Sequence, residues 1–154
     1  MNEITFLYET EEQLNNFEAL FNRLLQHTKD ILAIVKPLTL SVTYIDETTS
    51  VSMNAQYRGK DYIADVISFP IDDDYGIYDQ LDFRELGDIF ICFAEANRKA
   101  QKMHHTITTE MAWLFTHGLL HILGYDHEIE AEAQVMFALT DQILAQEAIA
   151  YEME

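Results

Sequence analysis

The sequence contains a single cysteine, Cys92, and few residues that interrupt regular structure, with 2 Pro and 5 Gly among 154 residues. One cysteine excludes both an intramolecular disulfide and a metal cluster held by several thiolates, so any metal must be bound by His or carboxylate side chains. The scarcity of Pro and Gly, beside 49% hydrophobic and 23% charged residues, excludes a long disordered or collagen-like segment. At this length we expect one domain, residues 1–154, with one core.

Long hydrophobic runs are also absent. None approaches the roughly 20 residues that a transmembrane helix needs. The first residues, Met1, Asn2 and Glu3, lack the positive charges that begin a signal peptide. We therefore expect a cytoplasmic protein without a membrane partner.

Positive charge is scarce as well, since 9 Lys and Arg face 27 Asp and Glu, for a net charge of −18. This balance argues against general binding to nucleic acid or to an anionic membrane. Six of the nine basic residues lie between residues 58 and 102, and none follows Lys102. A local basic track is therefore the only surface that could attract a polyanion, although a solvated acidic surface that serves solubility alone remains an alternative.

Two hydrophobic periodicities alternate along the chain. Apolar residues at every second position, and short continuous apolar runs, predict strands, whereas apolar residues every three or four positions predict helices. The first predicted helix follows a capping-box spacing at residues 10–13. The predicted strands cover residues 4–8, 38–44, 66–70 and 89–93, and the predicted helices cover residues 14–36, 47–57, 94–102, 108–123 and 128–148. This order predicts an α+β fold in which helices cover a small mixed sheet.

Three histidines between residues 117 and 127 have the spacing of a metal site. On a helix, His117 and His121 lie four residues apart and share one face, so both can direct a ring nitrogen at one ion. Gly124 can end the helix with a left-handed residue and bring His127 round as a third ligand. Three imidazoles and an open fourth position are typical of catalytic zinc, which lowers the pKa of its bound water towards 7. We predict one Zn²⁺ ion at the end of a central helix.

Two acidic residues near these histidines are candidates for supporting roles. Asp126 could orient a metal-binding histidine or accept a proton, with local capping as the structural alternative. Glu110 lies two helical turns before His117 on the same face. It is a candidate proton acceptor or supporting residue, and a purely structural role is the alternative.

The spacing H-x3-H-x2-G-x2-H also occurs in the metzincin proteases, whose motif begins with His-Glu. In this sequence Gly118 stands where that Glu would be. The chain thus lacks the carboxylate that activates the metal-bound water for peptide hydrolysis. A metallopeptidase is the first alternative, and a non-catalytic protein that zinc only stabilises is the second.

Several segments of the sequence together resemble the bacterial YbeY endoribonucleases, also called ribosomal RNA maturation factors. The segments are residues 53–54, 57–61, 65–70, 86–89 and, above all, 117–127, whereas residues 1–45 match only in pattern. The resemblance implies that His117, His121 and His127 bind zinc and that Arg58 is essential for function. Departures from the usual pattern, at Ala64, Lys99 and Ile122, involve none of these ligands.

The resemblance also implies an activity and partners. The activity is metal-dependent cleavage of single-stranded RNA, in maturation of the 3′ end of small-subunit ribosomal RNA and in ribosome quality control. The implied partners are ribosomal RNA, the small ribosomal subunit with its proteins, and an assembly GTPase. If zinc only stabilised the chain, it would be a ribosome-assembly factor without turnover.

Arg58 has a chemical reason to act in such a reaction. A guanidinium in a turn that contains Gly can bind a phosphate through two hydrogen bonds and stabilise charge that develops at phosphorus. Lys60 and Arg98 are candidates for further RNA contacts. An ordinary surface charge or ion pair is the alternative for each of the three residues.

Overall fold

The computed structural model describes residues 1–10, 15–73 and 75–151, which form one four-stranded sheet and five α-helices. Short 3-10 helices cover Asn15–Phe17 and Ile77–Gln80. The strands are β1 (Glu3–Tyr8), β2 (Leu38–Ile45), β3 (Val66–Pro70) and β4 (Arg84–Cys92), and the helices are α1 (Glu18–Leu32), α2 (Glu47–Arg58), α3 (Phe93–Met103), α4 (Ile107–Ile122) and α5 (Glu130–Ala145). Within these residues, no helix is both long and apolar enough to cross a membrane.

The sheet has the strand order β1-β2-β4-β3. Strands β1, β2 and β4 run parallel, whereas β3 pairs antiparallel with β4. Alternate residues of β2, namely Leu38, Leu40, Val42 and Tyr44, face the main core because successive side chains of a strand point to opposite faces. The predicted α+β fold with a small mixed sheet covered by helices is confirmed.

Helix α4 lies at the centre of the domain. Every residue from Glu110 to Leu120 is buried, and the helix contacts β3, β4, α1, α3 and α5. The rings of Phe115 on α4 and Phe21 on α1 stack with their centroids 4.4 Å apart. Most residues of α4 are apolar, and neighbouring elements cover the helix on all sides, so α4 is the central helix that the sequence predicts.

Helix α2 covers part of the opposite face of the sheet. The ring of Tyr57 packs edge-on against Phe69 of β3, which in turn packs against Phe90 of β4. The loop between α2 and β3 is bound to the helix, since the Ser50 hydroxyl donates to the Ala64 carbonyl oxygen. These contacts fix the C-terminal end of α2 beside β3.

Several element boundaries differ from those predicted. Strand β4 begins at Arg84, five residues before the predicted start at residue 89. Helix α5 is shorter than residues 128–148, because Ile129 lies outside it and is 59% exposed, and the chain reverses at Ala148 with φ of 56°. Residues 11–13 of the predicted capping box and residue 14, the first of the predicted helix, lie outside the described residues.

Gly87 marks an irregularity in β4. The register of β2 against β4 shifts at this position, where Gly87 has φ of +139°. A Cβ atom here would lie 2.1 Å from the backbone oxygen of Phe69 on β3. Strand β4 can therefore pass β3 at this point only because the residue has no side chain.

We predict that Gly87→Ala destabilises the protein by about 3 kcal/mol or more, because it adds a backbone clash to an unfavourable φ. Gly59→Ala is the matched control, since Gly59 also has a positive φ, 66°, but open space around its Cα. That change should cost only about 1 kcal/mol. Urea unfolding of both variants measures the free energy of unfolding. Equal losses of stability in the two variants would contradict a clash with the backbone of Phe69.

Candidate metal centre

His117 and His121 project from one face of α4, one helical turn apart. Their ring centroids are 4.7 Å apart and the rings are nearly perpendicular. His117 is buried, with 8% of its surface exposed, and His121 is half-buried. Burial lowers the pKa of His117 to about 3, and burial likewise lowers the pKa of His121. Both rings are therefore neutral near pH 7, which is the form that binds a metal.

The C-terminal end of α4 brings the third histidine back towards this pair. The N–H of Tyr125 donates to the oxygen of Leu120 at 2.9 Å, and the N–H of Gly124 donates to the oxygen of His121 at 3.0 Å. This pair of hydrogen bonds is a Schellman motif, for which Gly124 supplies the positive φ of 110°. The sequence-based prediction that Gly124 ends the helix agrees with this geometry.

His127 completes a cluster of three rings. Its centroid lies 5.3 Å from that of His117 and 5.0 Å from that of His121. A carboxylate oxygen of Asp126 accepts a hydrogen bond from the His127 backbone N–H at 2.7 Å and so fixes the turn. One ligand nitrogen from each ring lies within 4.8 Å of the others, so the three can converge on one ion. This donor set fits a borderline-soft divalent metal such as zinc.

The three histidines open onto a cavity of about 830 Å³. Arg58, from the end of α2, and Asp126 line the same cavity. The Arg58 side chain is exposed and forms no ion pair with any residue that the structure describes. Its charge contributes to the lowered pKa of His121. Within the described chain, Arg58 is thus a cation without an ion pair, and it lies at the same cavity as the three histidines.

The other predicted site residues do not reach this cavity. Glu110 is fully buried behind it, and burial raises the pKa of its carboxyl group. Lys60 is exposed after the end of α2 and does not line the cavity. The guanidinium of Arg98 hydrogen-bonds to Glu47 and Glu95 at 2.9 and 2.8 Å and lines a separate cavity. The structure therefore groups only Arg58 and Asp126 with the three histidines.

Three residues without a predicted role lie at or next to the cavity. Lys99 and Asp65 line it as an ion pair, with 3.2 Å between Nζ and Oδ2. Trp113 also lines it, and its ring stacks on His117 at 4.5 Å. Trp113 precedes His117 by four residues, so helical spacing alone could have placed it on the same face. Lys99 and Asp65 are 34 positions apart in the sequence, so no pattern within a short segment could have predicted that they pair.

Gly118 packs closely against the sheet. A Cβ atom at this position would lie 3.2 Å from Cγ2 of Ile89 on β4. A Glu side chain here would therefore be pushed against the sheet rather than directed into the cavity. The place of the metzincin carboxylate is closed by packing, which disfavours the metallopeptidase alternative.

Comparisons with known proteins agree on one family. The family model for endoribonuclease YbeY matches residues 4–148, a span that ends before Tyr151. The endoribonuclease YbeY of Mycoplasma capricolum is 39% identical over 151 residues, covering 98% of this chain and 92% of that protein. The same enzyme of Spiroplasma citri is 41% identical over 138 residues, or 88% and 87% of the two chains.

A more distant relative and a solved structure extend this similarity. Endoribonuclease YbeY of Lysinibacillus sphaericus is 37% identical over 145 residues, covering 92% of each chain. The solution structure of TM1509 from Thermotoga maritima superimposes with a TM-score of 0.60 over 95% of this chain and 92% of that chain. At 20% sequence identity, that similarity shows a shared fold.

We predict that replacing any one of His117, His121 and His127 with Ala lowers zinc affinity at least tenfold, because each removes one of three ligands. Titration against a chromophoric chelator measures the affinity. His104→Ala is the control, since His104 is exposed and stands outside the cluster. If a variant at residue 117, 121 or 127 bound zinc with wild-type affinity, the replaced histidine would not be a ligand.

Proposed function

The chain belongs to the endoribonuclease YbeY family, and we propose that it is a zinc-dependent endoribonuclease that cleaves single-stranded RNA during ribosomal RNA processing. The proposed role is maturation of the 3′ end of small-subunit RNA and ribosome quality control, in the cytoplasm. One observation carries the proposal. Three histidines able to converge on a metal share a cavity with Arg58, a cation that is free of ion pairs with the described residues.

His117, His121 and His127 would hold the zinc ion. A bound zinc ion supplies a Lewis acid and lowers the pKa of bound water towards 7. The fold keeps the rings of His117 and His121 neutral, because burial disfavours the protonated imidazole and so lowers the pKa of both. Protons therefore compete little with the metal at these two positions near pH 7.

Arg58 is the residue that would bind the scissile phosphate. It is the last residue of α2, and Gly59 follows with a positive φ of 66° that turns the chain away. The guanidinium can donate two hydrogen bonds to phosphate oxygens and neutralise the charge that develops on them. Because it is not already paired within the described chain, it loses no protein partner when a phosphate binds.

Asp126 is the carboxylate to which we assign proton acceptance or the orientation of a ligand. It lines the cavity between Tyr125 and His127, and its charge acts on His121 to oppose the lowering of that pKa. Asp65 lines the cavity too, but both its oxygens are engaged, with the Val66 N–H and with Lys99. Glu110 is separated from the cavity by burial.

A non-catalytic zinc protein would use the same histidines but would close the coordination with a fourth ligand. Among the described residues, the cluster contains three groups and no fourth His, Cys, Asp or Glu. The cluster also faces an open cavity. Both observations favour a catalytic metal over a structural one.

The charge of the cavity bears on how RNA would reach it. Four acidic residues line it, Asp65, Glu95, Asp126 and Glu128, and the net charge of the chain is −18. Among the residues that the structure describes, two Lys or Arg side chains line the cavity: Lys99 is paired with Asp65, and Arg58 has no such partner. We propose that free RNA binds weakly, and that the small ribosomal subunit with its proteins, or an assembly GTPase, presents ribosomal RNA to the enzyme.

We predict that Arg58→Gln reduces RNA cleavage at least a hundredfold while zinc content and the unfolding temperature stay nearly unchanged, because an exposed, unpaired charge contributes little stability. Arg23→Gln is the matched control. Its guanidinium pairs with Glu147, and neither residue lines the cavity, so cleavage should change less than threefold. Cleavage of a single-stranded oligonucleotide by the two zinc-loaded variants measures this, and wild-type cleavage by Arg58→Gln would reject the role.

We further predict that binding to a single-stranded oligonucleotide is micromolar or weaker and depends little on salt. Each phosphate neutralised on a single strand contributes about −0.7 to the slope of log affinity against log salt. If Arg58 and one or both of the candidates Lys60 and Arg98 each neutralise one phosphate, the slope is roughly −1.5 to −2. Purified small subunits should bind more tightly and retain binding at moderate salt. A slope near −5, or nanomolar affinity for the bare oligonucleotide, would contradict delivery by a partner.

A further inference from the structure

The ring of His117 lacks the support that usually orients a metal-binding histidine. Such a histidine usually donates its second ring N–H to a carboxylate or a backbone carbonyl, which fixes the orientation of the ring. The Nδ1 atom of His117 is buried and has no hydrogen-bond partner among the described residues. Its orientation must come from something else.

A stack of four aromatic rings ends on His117. Trp113 lies against it with centroids 4.5 Å apart and planes 14° apart. Tyr151 covers Trp113 at 4.9 Å and 20°, and His105 covers Tyr151 at 4.5 Å and 23°. Each pair lies within the range of separations at which aromatic rings attract one another. The stack therefore runs continuously from His105, between α3 and α4, to the candidate metal centre.

Tyr151 is itself fixed at the middle of the stack. The chain reverses after α5, where the Ile149 N–H donates to the Leu144 oxygen at 3.0 Å. The Tyr151 hydroxyl then donates to the buried carboxylate of Glu110, with oxygen distances of 3.1 and 3.2 Å. The hydroxyl thus satisfies a carboxylate whose burial would otherwise be costly, and the ring of Tyr151 is held against Trp113.

Lys99 adds a second contact to the tryptophan. Its Nζ lies 5.1 Å from the centroid of the Trp113 ring, within the range of a cation–π interaction. The same Nζ pairs with Asp65 at 3.2 Å and lies 3.8 Å from Glu110. Trp113 is therefore positioned by two neighbours, Tyr151 and Lys99, and His117 is positioned by Trp113.

We propose that Trp113 and Tyr151 are positioning residues of the metal centre, in which a stack of aromatic rings replaces the hydrogen bond that usually orients a metal-binding histidine. The inference rests on the proposed zinc site. It gives a function to the segment after α5, which the cleavage mechanism does not use. It also gives Glu110 a role, since this carboxylate anchors Tyr151 rather than accepting a proton from substrate.

The test compares two changes at Tyr151. Tyr151→Leu removes the ring, so zinc affinity measured by chelator competition should fall at least fivefold. Tyr151→Phe keeps the ring and removes only the hydroxyl that anchors it to Glu110, so zinc affinity should fall by a clearly smaller factor than in Tyr151→Leu, even if the protein becomes less stable. Wild-type zinc affinity in Tyr151→Leu would overturn the proposal, as would an equal loss in both variants.

Trp113 supplies an independent optical readout, because it is the only tryptophan in the sequence and lies against His117. Zinc binding should change its fluorescence in the wild-type protein. In Tyr151→Leu the midpoint of that change should move to higher zinc concentration by the same factor that chelator competition gives. An unchanged midpoint would count against positioning by the stack.

A control separates positioning from loss of stability. Phe17 is 3% exposed and packs against Phe21 and Phe93, away from the cavity. Phe17→Leu should destabilise the fold and leave zinc affinity unchanged, whereas a fivefold loss of affinity would show that stability alone explains the Tyr151 result. If the wild-type protein and His117→Ala bind zinc equally poorly, the proposed zinc site and this inference both fail. Zinc binding that depends on His117 but not on Tyr151 rejects only the inference.

Discussion

Helix α4 is the core of the domain and also carries two of the three histidines, so the metal centre depends on burying a polar part of a helix. Burial from Glu110 to Leu120 costs free energy wherever a polar group lacks a partner. The hydroxyl of Tyr151 satisfies Glu110, whereas Nδ1 of His117 has no partner within the described chain. The same burial keeps His117 neutral, which prepares the ring to bind a metal.

Packing around α4 also limits the chemistry that the site can perform. On one side, Gly118 allows the helix to approach β4, so no side chain can enter the cavity from that position. On another side, the hydrogen bonds after Leu120 turn the chain and place His127 beside the other two rings. The result is a cluster of three histidines without an adjacent glutamate, which agrees better with the phosphodiester substrate that we propose than with a peptide.

The distribution of charge sets a second constraint. The chain has three times as many acidic as basic residues. In the described structure, Lys99 at the cavity and Arg98 beside it are paired with carboxylates. Arg58 is the exception at the cavity. A protein with this surface gains little from general electrostatic attraction of RNA, which is the reason for our proposal that a partner presents the substrate.

Much of this site could be predicted from the sequence because its signals are local. The spacing of His117, His121 and Gly124 specifies a helix face and its end within one short segment, and hydrogen bonds within that segment enforce the same geometry. Hydrophobic periodicity likewise located the strands and helices, since it reflects which faces are buried. It failed at the start of β4, where the irregularity at Gly87 depends on contact with Phe69 of another strand.

The fold class and the three-histidine cluster could be predicted because each follows from spacing along the chain, and the family could be recognised because several segments resemble it. Which charges are available and which rings touch depends on how the helices pack on the sheet. Arg98 is paired with Glu47, 51 residues away, and Glu110 is bound by Tyr151, 41 residues away. Such partners come together only after the helices pack on the sheet, and burial then decides whether a charged side chain acts on a substrate or stabilises the fold.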